Sequence, residues 1–317
     1  MNERICEITK LIKEKALSIG FDACGVCRAE HVGEAQIHFQ NWIQKGLHGS
    51  LDYLERNSEK RFNPTLLVEG TKSIISVALN YYPQEKQDES VPQFAYYAYG
   101  RDYHDVVKEK LSQLLAFIQT LIPEAAGRCF TDSAPFLESY WATRAGIGYK
   151  GRNTLLIIPG KGSFFFLGEI LLNIELAYDK PQEKFLCGKC TKCIDACPTG
   201  ALQEGKCMDA RKCISYQTIE NKTDEIDSEI ASKLSNRVYG CDICQQVCPW
   251  NKKARPHQTA EFVPSPEFLN LNAESISSMS EEDFRIIFKG SAIKRAKHKG
   301  LMRNIRTLTL HRRAKDE

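Results

Sequence analysis

The sequence contains no long apolar run. No stretch within its 317 residues approaches the ~18 consecutive apolar residues that a membrane span requires. The chain starts Met1-Asn2-Glu3-Arg4 and enters an amphipathic pattern at once, without the apolar segment of a signal peptide. We therefore expect a cytoplasmic protein that has no membrane partner.

A strong excess of one charge is also missing, because 43 Lys and Arg oppose 40 Asp and Glu for a net charge of +3. The distribution is uneven, however. Residues 289–317 contain ten basic and two acidic residues, a local charge of +8, whereas the preceding 288 residues carry −5. The pattern is a mildly acidic body followed by a basic segment.

Cysteine, in contrast, is abundant. Nine of the 13 cysteines fall between Cys187 and Cys248. In a protein that is not exported, clustered thiols stay reduced, so metal ligation is favoured over disulfides. A secreted disulfide-stabilised protein is excluded.

The remaining pattern predicts an α+β protein of about two ordinary domains and a tail, because apolar residues make up 42% and charged residues 26%. The predicted elements are helices at 5–19 and 106–122, strands at 21–27, 73–79 and 128–132, and a hairpin of 154–158 with 164–167. We expect one domain at 1–180, a Cys-rich domain at 181–255 and a helical basic tail at 256–317.

The Cys-rich domain carries one specific motif. Cys187-x2-Cys190-x2-Cys193-x3-Cys197-Pro198 is the spacing with which bacterial ferredoxins hold [4Fe–4S] clusters, the fourth cysteine reaching a second cluster. A second run, at positions 241, 244 and 248, has the same Cys-Pro ending but lacks one cysteine at its start. If the last cysteine of each run ligates the cluster of the other run, one cluster is held by Cys187, Cys190, Cys193 and Cys248. The other is then held by Cys197, Cys213, Cys241 and Cys244.

Alternatives remain for several cysteines. Zinc also uses C-x2-C pairs, but it needs neither the third cysteine at x2 nor the terminal Cys-Pro. The spacing by itself leaves Cys207 open as a replacement for Cys213. Cys24-x2-Cys27 could form a third site, although buried structural thiols are favoured there because no partner lies nearby in the sequence.

Several segments resemble epoxyqueuosine reductases, the cobalamin-dependent family that completes queuosine in tRNA. They are residues 59–64 (EKRFNP), 99–104 (YGRDYH), 131–135 (TDSAP), 144–155 (RAGIGYKGRNTL), 213–216 (CISY) and 236–242 (NRVYGCD). The resemblance runs in colinear order from about residue 1 to 310. It implies a cobalamin-binding domain related to the nitroreductase fold, followed by a ferredoxin-like module with two [4Fe–4S] clusters, and it selects Cys213 as the remaining ligand.

The resemblance also implies roles for individual residues. Asp132 would be the proton donor for epoxide deoxygenation, and its carboxyl would lie against the cofactor. The implied cobalamin contacts are Arg61, Asp132, Thr154, Leu156, Leu167, Ser215 and Asp242. Without the resemblance, Asp132 would be interpreted as a strand-end aspartate that caps the following helix.

One cobalamin signature is absent. The motif D-x-H-x-x-G is incomplete, because Asp102-Tyr103-His104 is followed by Val107 where glycine would fall. A cobalt that is not ligated by a protein histidine is consistent with this family. His104 is left open as a structural or a site residue.

The basic tail suggests contact with RNA phosphates, which bind clusters of Lys and Arg without regard to sequence. The candidate residues are Lys294, Arg295, Lys297, Lys299 and Arg303. The alternative is a solvated helical face. Residues 301–308 resemble the start of a helical-repeat region found in many family members, of which this sequence contains only the beginning.

The resulting hypothesis is a monomeric epoxyqueuosine reductase that acts on the wobble base of tRNA. One alternative is a corrinoid reductase of a small molecule, such as an organohalide. The other is an electron-transfer ferredoxin module fused to a non-catalytic domain, which would bind no corrinoid. No nicotinamide or flavin fingerprint is visible, so the sequence does not name the electron donor.

Overall fold

The computed structural model describes residues 3–205 and 207–316. The helices are α1 (Glu3–Ile19), α2 (Gly33–Gln44), α3 (Ser58–Phe62), α4 (Pro64–Leu67), α5 (Tyr103–Leu121), α6 (Glu138–Arg144), α7 (Lys192–Asp195), α8 (Ile214–Ile219), α9 (Ser228–Ala231), α10 (Ile243–Gln246), α11 (Pro266–Leu269), α12 (Ala273–Ser277), α13 (Glu281–Ile287) and α14 (Lys297–Asp316). Single 3-10 turns lie at Asp52–Leu54, Tyr96–Ala98, Ala210–Lys212, Pro249–Lys253, Ala260–Phe262 and Ala292–Ala296.

The strands are β1 (Ala23–Arg28), β2 (Ser73–Asn80), β3 (Gln93–Phe94), β4 (Gly127–Phe130), β5 (Tyr149–Lys150), β6 (Leu156–Ile157), β7 (Phe165–Leu172), β8 (Leu202–Gln203), β9 (Cys207–Met208) and β10 (Arg237–Tyr239). Four of them form an antiparallel sheet in the order β1-β2-β7-β4. The mixture of helices and strands that the sequence predicts is confirmed.

The predicted hairpin of residues 154–158 and 164–167 is wrong. β7 runs on through Gly168 and Glu169 and pairs with β2 along one edge and β4 along the other. β2 pairs along the whole of β7, including the segment predicted to form the hairpin, and the preceding segment pairs instead with β5. Only a single bridge, between Ile158 and Gly162, closes the predicted turn.

Both faces of the main sheet are covered. Ile75 and Val77 of β2 and Ile170 of β7 point to a core shared with α1 and α5. Their neighbours Ile74 and Leu171 point to a second core that contains Trp141 of α6. Because alternate residues of a strand face opposite sides, this double coverage explains why β2 is apolar along most of its length.

The Cys-rich region is connected to this unit by shared backbone hydrogen bonds and a shared core. β10 pairs in parallel with β3, and the Trp42 indole N–H donates to the carbonyl of Met208 at 2.6 Å. Phe94 and Tyr99 pack in one core with residues of α8 to α14. No helix in the described part of the chain combines the length and apolar character needed to cross a membrane.

Candidate active site

A cavity of about 1600 Å³ lies between the main sheet and the Cys-rich region. Its wall includes all seven residues for which a cobalamin contact is predicted: Arg61, Asp132, Thr154, Leu156, Leu167, Ser215 and Asp242. They come from α3, the loop after β4, the β6 region, β7, α8 and the start of α10, so only the folded chain brings them together. The wall also contains four cysteines, at positions 197, 213, 241 and 244.

Asp132 is one of the residues of this wall. It follows β4 and has a positive φ of 48°, a conformation that is uncommon for residues other than glycine. Its side chain is 64% exposed, and it does not cap the next helix, because the N-cap of α6 is Leu137. The interpretation of Asp132 as a helix cap is therefore excluded.

Two residues at the start of α5 contact the Asp132 carboxylate. The Tyr103 hydroxyl donates a hydrogen bond to Asp132 Oδ2, and His104 Nε2 lies 3.8 Å from the same oxygen. The other ring nitrogen of His104, Nδ1, is 2.7 Å from Asp102 Oδ1. Asp102 is also the N-cap of α5, so one carboxylate starts the helix and orients the His104 ring. The structure thus places His104 at the site.

The cavity wall includes buried hydrogen-bond donors that the described protein atoms leave unused. Arg61 Nε and Asn153 Nδ2 are both buried without a hydrogen-bond partner among the described residues. The Arg61 guanidinium otherwise packs over the Phe39 ring at 5.2 Å and lies 3.5 Å from the carbonyl of Tyr53. Unpaired buried donors are costly, and their place on the wall indicates a polar ligand.

Cys197, Cys213, Cys241 and Cys244 line the cavity, and we call them the cavity-side cysteines. Burial raises the pKa of Cys244 well above its usual value, and the charges of Cys241 and Cys213 raise it further. The Cys213 thiol interacts in the same way with Cys197. Cys207, the alternative ligand, lies in β9 and outside the cavity wall.

Cys187, Cys190, Cys193 and Cys248 form the other group, the outer cysteines, and none of them lines the cavity. Burial raises the pKa of Cys248, and the nearby charges of Cys187 and Cys190 act in the same direction. Cys193 also raises the pKa of Cys244, so the two groups are adjacent. In residues 3–205 and 207–316, no three His, Cys, Asp or Glu side chains converge closely enough to hold one metal ion.

Comparisons with known proteins identify the family. Residues 61–133 match the family described as "Epoxyqueuosine reductase QueG, DUF1730", and residues 186–251 match a "4Fe-4S double cluster binding domain". The chain is 45% identical over 299 residues to the epoxyqueuosine reductase of Cyclobacterium marinum, a match that covers 94% of this chain and 95% of that protein. The chain belongs to the epoxyqueuosine reductase family.

Solved structures of epoxyqueuosine reductases have the same fold. One, in complex with an epoxyqueuosine-modified tRNA-Tyr stem loop, superposes with a TM-score of 0.89 at 32% identity over 96% of this chain and 81% of that one. Another, from Bacillus subtilis, has its catalytic aspartate loop swung out of the active site, with a TM-score of 0.87, 32% identity and coverage of 96% and 82%. The zinc interpretation of the cysteines is not supported, because the matched domain family binds 4Fe–4S clusters.

The basic candidates divide into exposed and buried residues. Lys294, Arg295, Lys297 and Lys299 are exposed; Arg295 forms an ion pair with Glu220 at 2.8 Å, and Lys299 forms one with Asp224 at 2.5 Å. Lys294 and Arg295 also line the cavity. The side chains of Arg312 and Arg313, further basic residues of the tail, lie outside the described residues.

Arg303 does not fit the prediction of an RNA contact. Its side chain is only 5% exposed, and the guanidinium donates to the carbonyls of Gln217, Asn221 and Thr223 at 2.6 to 2.9 Å. These bonds fasten α14 to α8 and to the loop that follows it. The guanidinium is therefore not available to RNA phosphates, because a buried guanidinium must satisfy its donors inside the protein.

Cys24 and Cys27 do not form a third site. The two residues lie on opposite faces of the sheet, Cys24 against the core of α1 and α5 and Cys27 in the core of α6. Burial raises the pKa of each thiol to about 12. They are structural thiols, as their isolation in the sequence indicates.

Sequence reasoning missed four residues of the site region: Tyr103, Glu138, Asn153 and Glu169. Tyr103, Glu138 and Asn153 line the cavity, whereas Glu169 lies in the sheet behind it. A signal existed for Glu169, because a glutamate inside the apolar run FFFLGEILL is rare unless it has a buried partner or a function.

Proposed function

We propose that this protein is an epoxyqueuosine reductase that converts epoxyqueuosine to queuosine at the wobble position of tRNA, with cobalamin in the cavity and two [4Fe–4S] clusters held by the eight cysteines. The observation that carries the proposal is one cavity whose wall contains Asp132, six further predicted cofactor contacts and the four cavity-side cysteines. A tRNA substrate implies a cytoplasmic setting.

The cavity fits a cofactor and a base together. Pockets for drug-sized ligands are about 300–1,000 Å³, whereas this one is about 1600 Å³. A corrin carries polar amide arms that the free Nε of Arg61 and Nδ2 of Asn153 suit, and the apolar side chains of Leu156 and Leu167 suit its flat ring. The domain of residues 1–180 would be the nitroreductase-related unit that presents this wall.

The donor set fits the clusters. Two groups of four thiols suit iron–sulfur cubes rather than hard cations. In our assignment the cavity-side cysteines hold the cluster next to the cofactor and the outer cysteines hold the cluster that receives electrons first. Burial acts to raise the pKa of the Cys197 thiol. The opposite effect of hydrogen bonds to its thiolate, including those from the backbone N–H groups of Leu202, Ala201 and Thr199, is larger, so the pKa is lowered.

The reaction removes the epoxide oxygen as water, which consumes two electrons and two protons. Cobalamin, when bound, would supply redox-active cobalt for this two-electron chemistry. The protein must supply protons and hold the substrate. Asp132 is the group exposed in the cavity that can protonate the departing oxygen.

The neighbours of Asp132 tune this role. The Tyr103 hydroxyl and His104 both face Asp132 Oδ2, so they fix the direction of the carboxyl. Burial and the charge of Asp132 raise the pKa of Tyr103, which keeps its hydroxyl protonated as a donor. The B. subtilis relative with its catalytic aspartate loop swung out supports a functional role for the matching loop here.

The tRNA would approach over the exposed basic residues of the 3-10 turn Ala292–Ala296 and of the start of α14. Lys294 and Arg295 lie where the tail meets the cavity wall, so phosphates bound there would bring an extruded base to the opening. The relative solved with an epoxyqueuosine-modified stem loop supports this class of substrate. We propose Lys294, Arg295, Lys297 and Lys299 as RNA contacts, without Arg303.

The direct test is conversion of substrate. The protein, with clusters reconstituted and cobalamin bound, is incubated anaerobically with epoxyqueuosine-containing tRNA and a low-potential reductant, and the nucleosides are analysed by mass. We expect queuosine, with the loss of one oxygen. Cobalamin binding without conversion would favour a small-molecule reductase, and no cobalamin binding would favour the electron-transfer alternative.

A further inference from the structure

One exposed aromatic ring lies in the cavity wall and has no role in the mechanism above. Tyr53 belongs to the 3-10 turn Asp52–Leu54 and is 50% exposed. Every other Phe, Tyr and Trp among the described residues is buried or half-buried. A single exposed aromatic residue on an open surface would need no explanation. Tyr53, however, lines the cavity that we propose for cofactor and substrate.

The backbone that carries Tyr53 is attached to the Cys-rich region. The Ser50 N–H donates a hydrogen bond to the Tyr216 hydroxyl at 2.8 Å, and the Ser50 hydroxyl lies 2.7 Å from the same oxygen. Gly49 permits this close approach, because a Cβ at its position would lie 2.6 Å from the Tyr216 hydroxyl oxygen. Tyr216 lies in α8, whose N-cap is the cavity-side Cys213. The loop therefore holds Tyr53 in a defined place relative to the cavity wall.

Tyr53 lies close to groups that the proposed reaction needs. Its carbonyl oxygen is 3.5 Å from Arg61 Nη2. Burial raises the pKa of Tyr53, and the negative charges of Glu220 and Asp132 act in the same direction. The positive charges of Arg295 and Arg61 act against them. The hydroxyl is therefore neutral at pH 7, and the ring lies near both the proposed proton donor and the ion pair of Glu220 with Arg295.

This position lies on the path that the substrate would take. Arg295 is a proposed phosphate contact and Asp132 is the proposed proton donor, and both lie near Tyr53 in the same wall. The epoxide is carried on a side group of the base, so the base itself remains further out when the epoxide reaches Asp132. Aromatic side chains serve as platforms for unstacked bases, because every base has a π face. An exposed, uncharged ring at this place suits the base.

We propose that the Tyr53 ring stacks on the extruded wobble base and holds it in the cavity. The inference rests on the proposed function and deepens it, because it names a residue that would bind the base itself. Tyr53 makes and breaks no bond in this account. Stacking requires the aromatic ring and not the hydroxyl, so Tyr53→Phe should keep the interaction and Tyr53→Ala should lose it.

The first test measures binding and needs no turnover. Unreduced protein, with clusters reconstituted and cobalamin added, is titrated with two anticodon stem loops that differ only at the wobble position, where one carries epoxyqueuosine and the other is abasic. Tyr53→Ala should raise the Kd of the complete stem loop by about ten-fold or more and leave that of the abasic one unchanged. Tyr53→Phe should bind both as the wild type does. Phe117→Ala, which removes an aromatic ring outside the cavity wall, is the control and should change neither Kd.

Two results of this titration would overturn the proposal. An unchanged Kd of Tyr53→Ala for the complete stem loop would mean that the ring does not bind the RNA. An equal rise in Kd for both stem loops would place the ring against a flanking nucleotide or the RNA backbone instead of the wobble base.

The second test concerns turnover and the cofactor. In Tyr53→Ala the KM for tRNA should rise by about ten-fold with little change in kcat, because stacking holds the base equally before and during the reaction. Tyr53→Phe should restore the wild-type KM. The Kd for cob(II)alamin should be the same in all three proteins. A raised Kd in Tyr53→Ala would identify the ring as a corrin contact and overturn the inference.

The outcomes separate this inference from the proposed function. Queuosine formation by the wild type, without a base-dependent loss of binding in Tyr53→Ala, would overturn the stacking alone. Base-dependent binding without queuosine formation would refute the reductase and leave the stacking in place. A wild-type protein that binds neither stem loop would refute both.

Discussion

The two cysteine groups are drawn from two similar motif runs, and they differ in their surroundings. The cavity-side cysteines share a wall with Asp132, whereas the outer cysteines lie beyond them, with Cys187 and Cys248 against Tyr149 and Trp250. Motif spacing determines which thiols can share a cluster, but only the fold determines which group reaches the reaction space. In our proposal, this difference sets the direction of electron flow: from the outer group, through the cavity-side group, to the cavity.

The largest expected effect comes from Asp132, the proposed proton donor. Asp132→Asn removes the proton donor and leaves both cysteine groups untouched, so queuosine formation should fall by at least about 100-fold. Cluster spectra and cobalamin binding should be unchanged. The measurement is single-turnover conversion of epoxyqueuosine tRNA, with reduction of the clusters followed in the same sample. Retention of activity would remove Asp132 from the chemistry.

A comparison of two single substitutions tests the direction of electron flow. Cys241→Ala disables the cavity-side group and should stop turnover with any reductant. Cys190→Ala disables the outer group, and a small, strong reductant that reaches the remaining cluster should partly sustain turnover. Iron content and EPR of each variant verify that one cluster is lost. Equal loss of activity in both variants, with one cluster still reducible, would contradict the proposed order.

The predicted contact between Arg61 and cobalamin is tested by substitution. Arg61→Ala deletes a buried donor that has no partner among the described protein atoms, so the Kd for cob(II)alamin should rise about ten- to a hundred-fold. The cysteine groups should assemble normally. Arg128→Ala, which removes an arginine outside the cavity wall, is the control and should leave the Kd unchanged. An unchanged Kd for Arg61→Ala would argue against Arg61 as a cobalamin contact.

A similar contrast exists between exposed and buried basic residues. Lys294→Ala and Lys297→Ala should each weaken tRNA binding and reduce the slope of log K against log salt by about one unit. Lys10→Ala, on the exposed face of α1, is the matched control. Arg303→Ala should instead lower the free energy of unfolding by about 3 kcal/mol, because three carbonyl groups lose their donor.

Glu138 adds a pH dependence of stability. Because the folded state raises the pKa of Glu138 to about 8, its contribution to stability is complete below the pKa of an unfolded glutamate and is lost as the pH rises toward 8. Chemical denaturation of the apoprotein between pH 5 and pH 9 should show this loss. Glu138→Gln should flatten the curve, and a wild-type curve that is already flat would contradict the assignment.

The spacing and periodicity of neighbouring residues predicted those features that depend on residues close together in the sequence. The spacing of cysteines predicted an iron–sulfur region, which the domain family matched at residues 186–251 bears out, and α1, α5 and β2 were predicted within a few residues of their observed bounds. The hairpin failed because strand pairing is decided by distant residues: β7 pairs along its length with β2, and the preceding segment pairs with β5. Arg303 failed because its burial depends on the carbonyls of a loop some 80 residues earlier.

The cavity could be predicted only through resemblance. No local pattern connects Arg61, Asp132 and Asp242, which lie on different elements and meet only after folding. Glu169 was missed because the apolar pattern around it is that of an ordinary core strand, and its position beside Glu138 depends on the packing of α6 against the sheet.

The central claim is that the cavity seats cobalamin beside the cavity-side cluster. It is tested most directly by anaerobic titration of the cluster-reconstituted protein with cob(II)alamin, followed by visible and EPR spectroscopy. Our account predicts saturation at one equivalent, with a cobalt signal that differs from that of free cob(II)alamin. No binding in protein that contains both clusters would contradict it and leave an electron carrier.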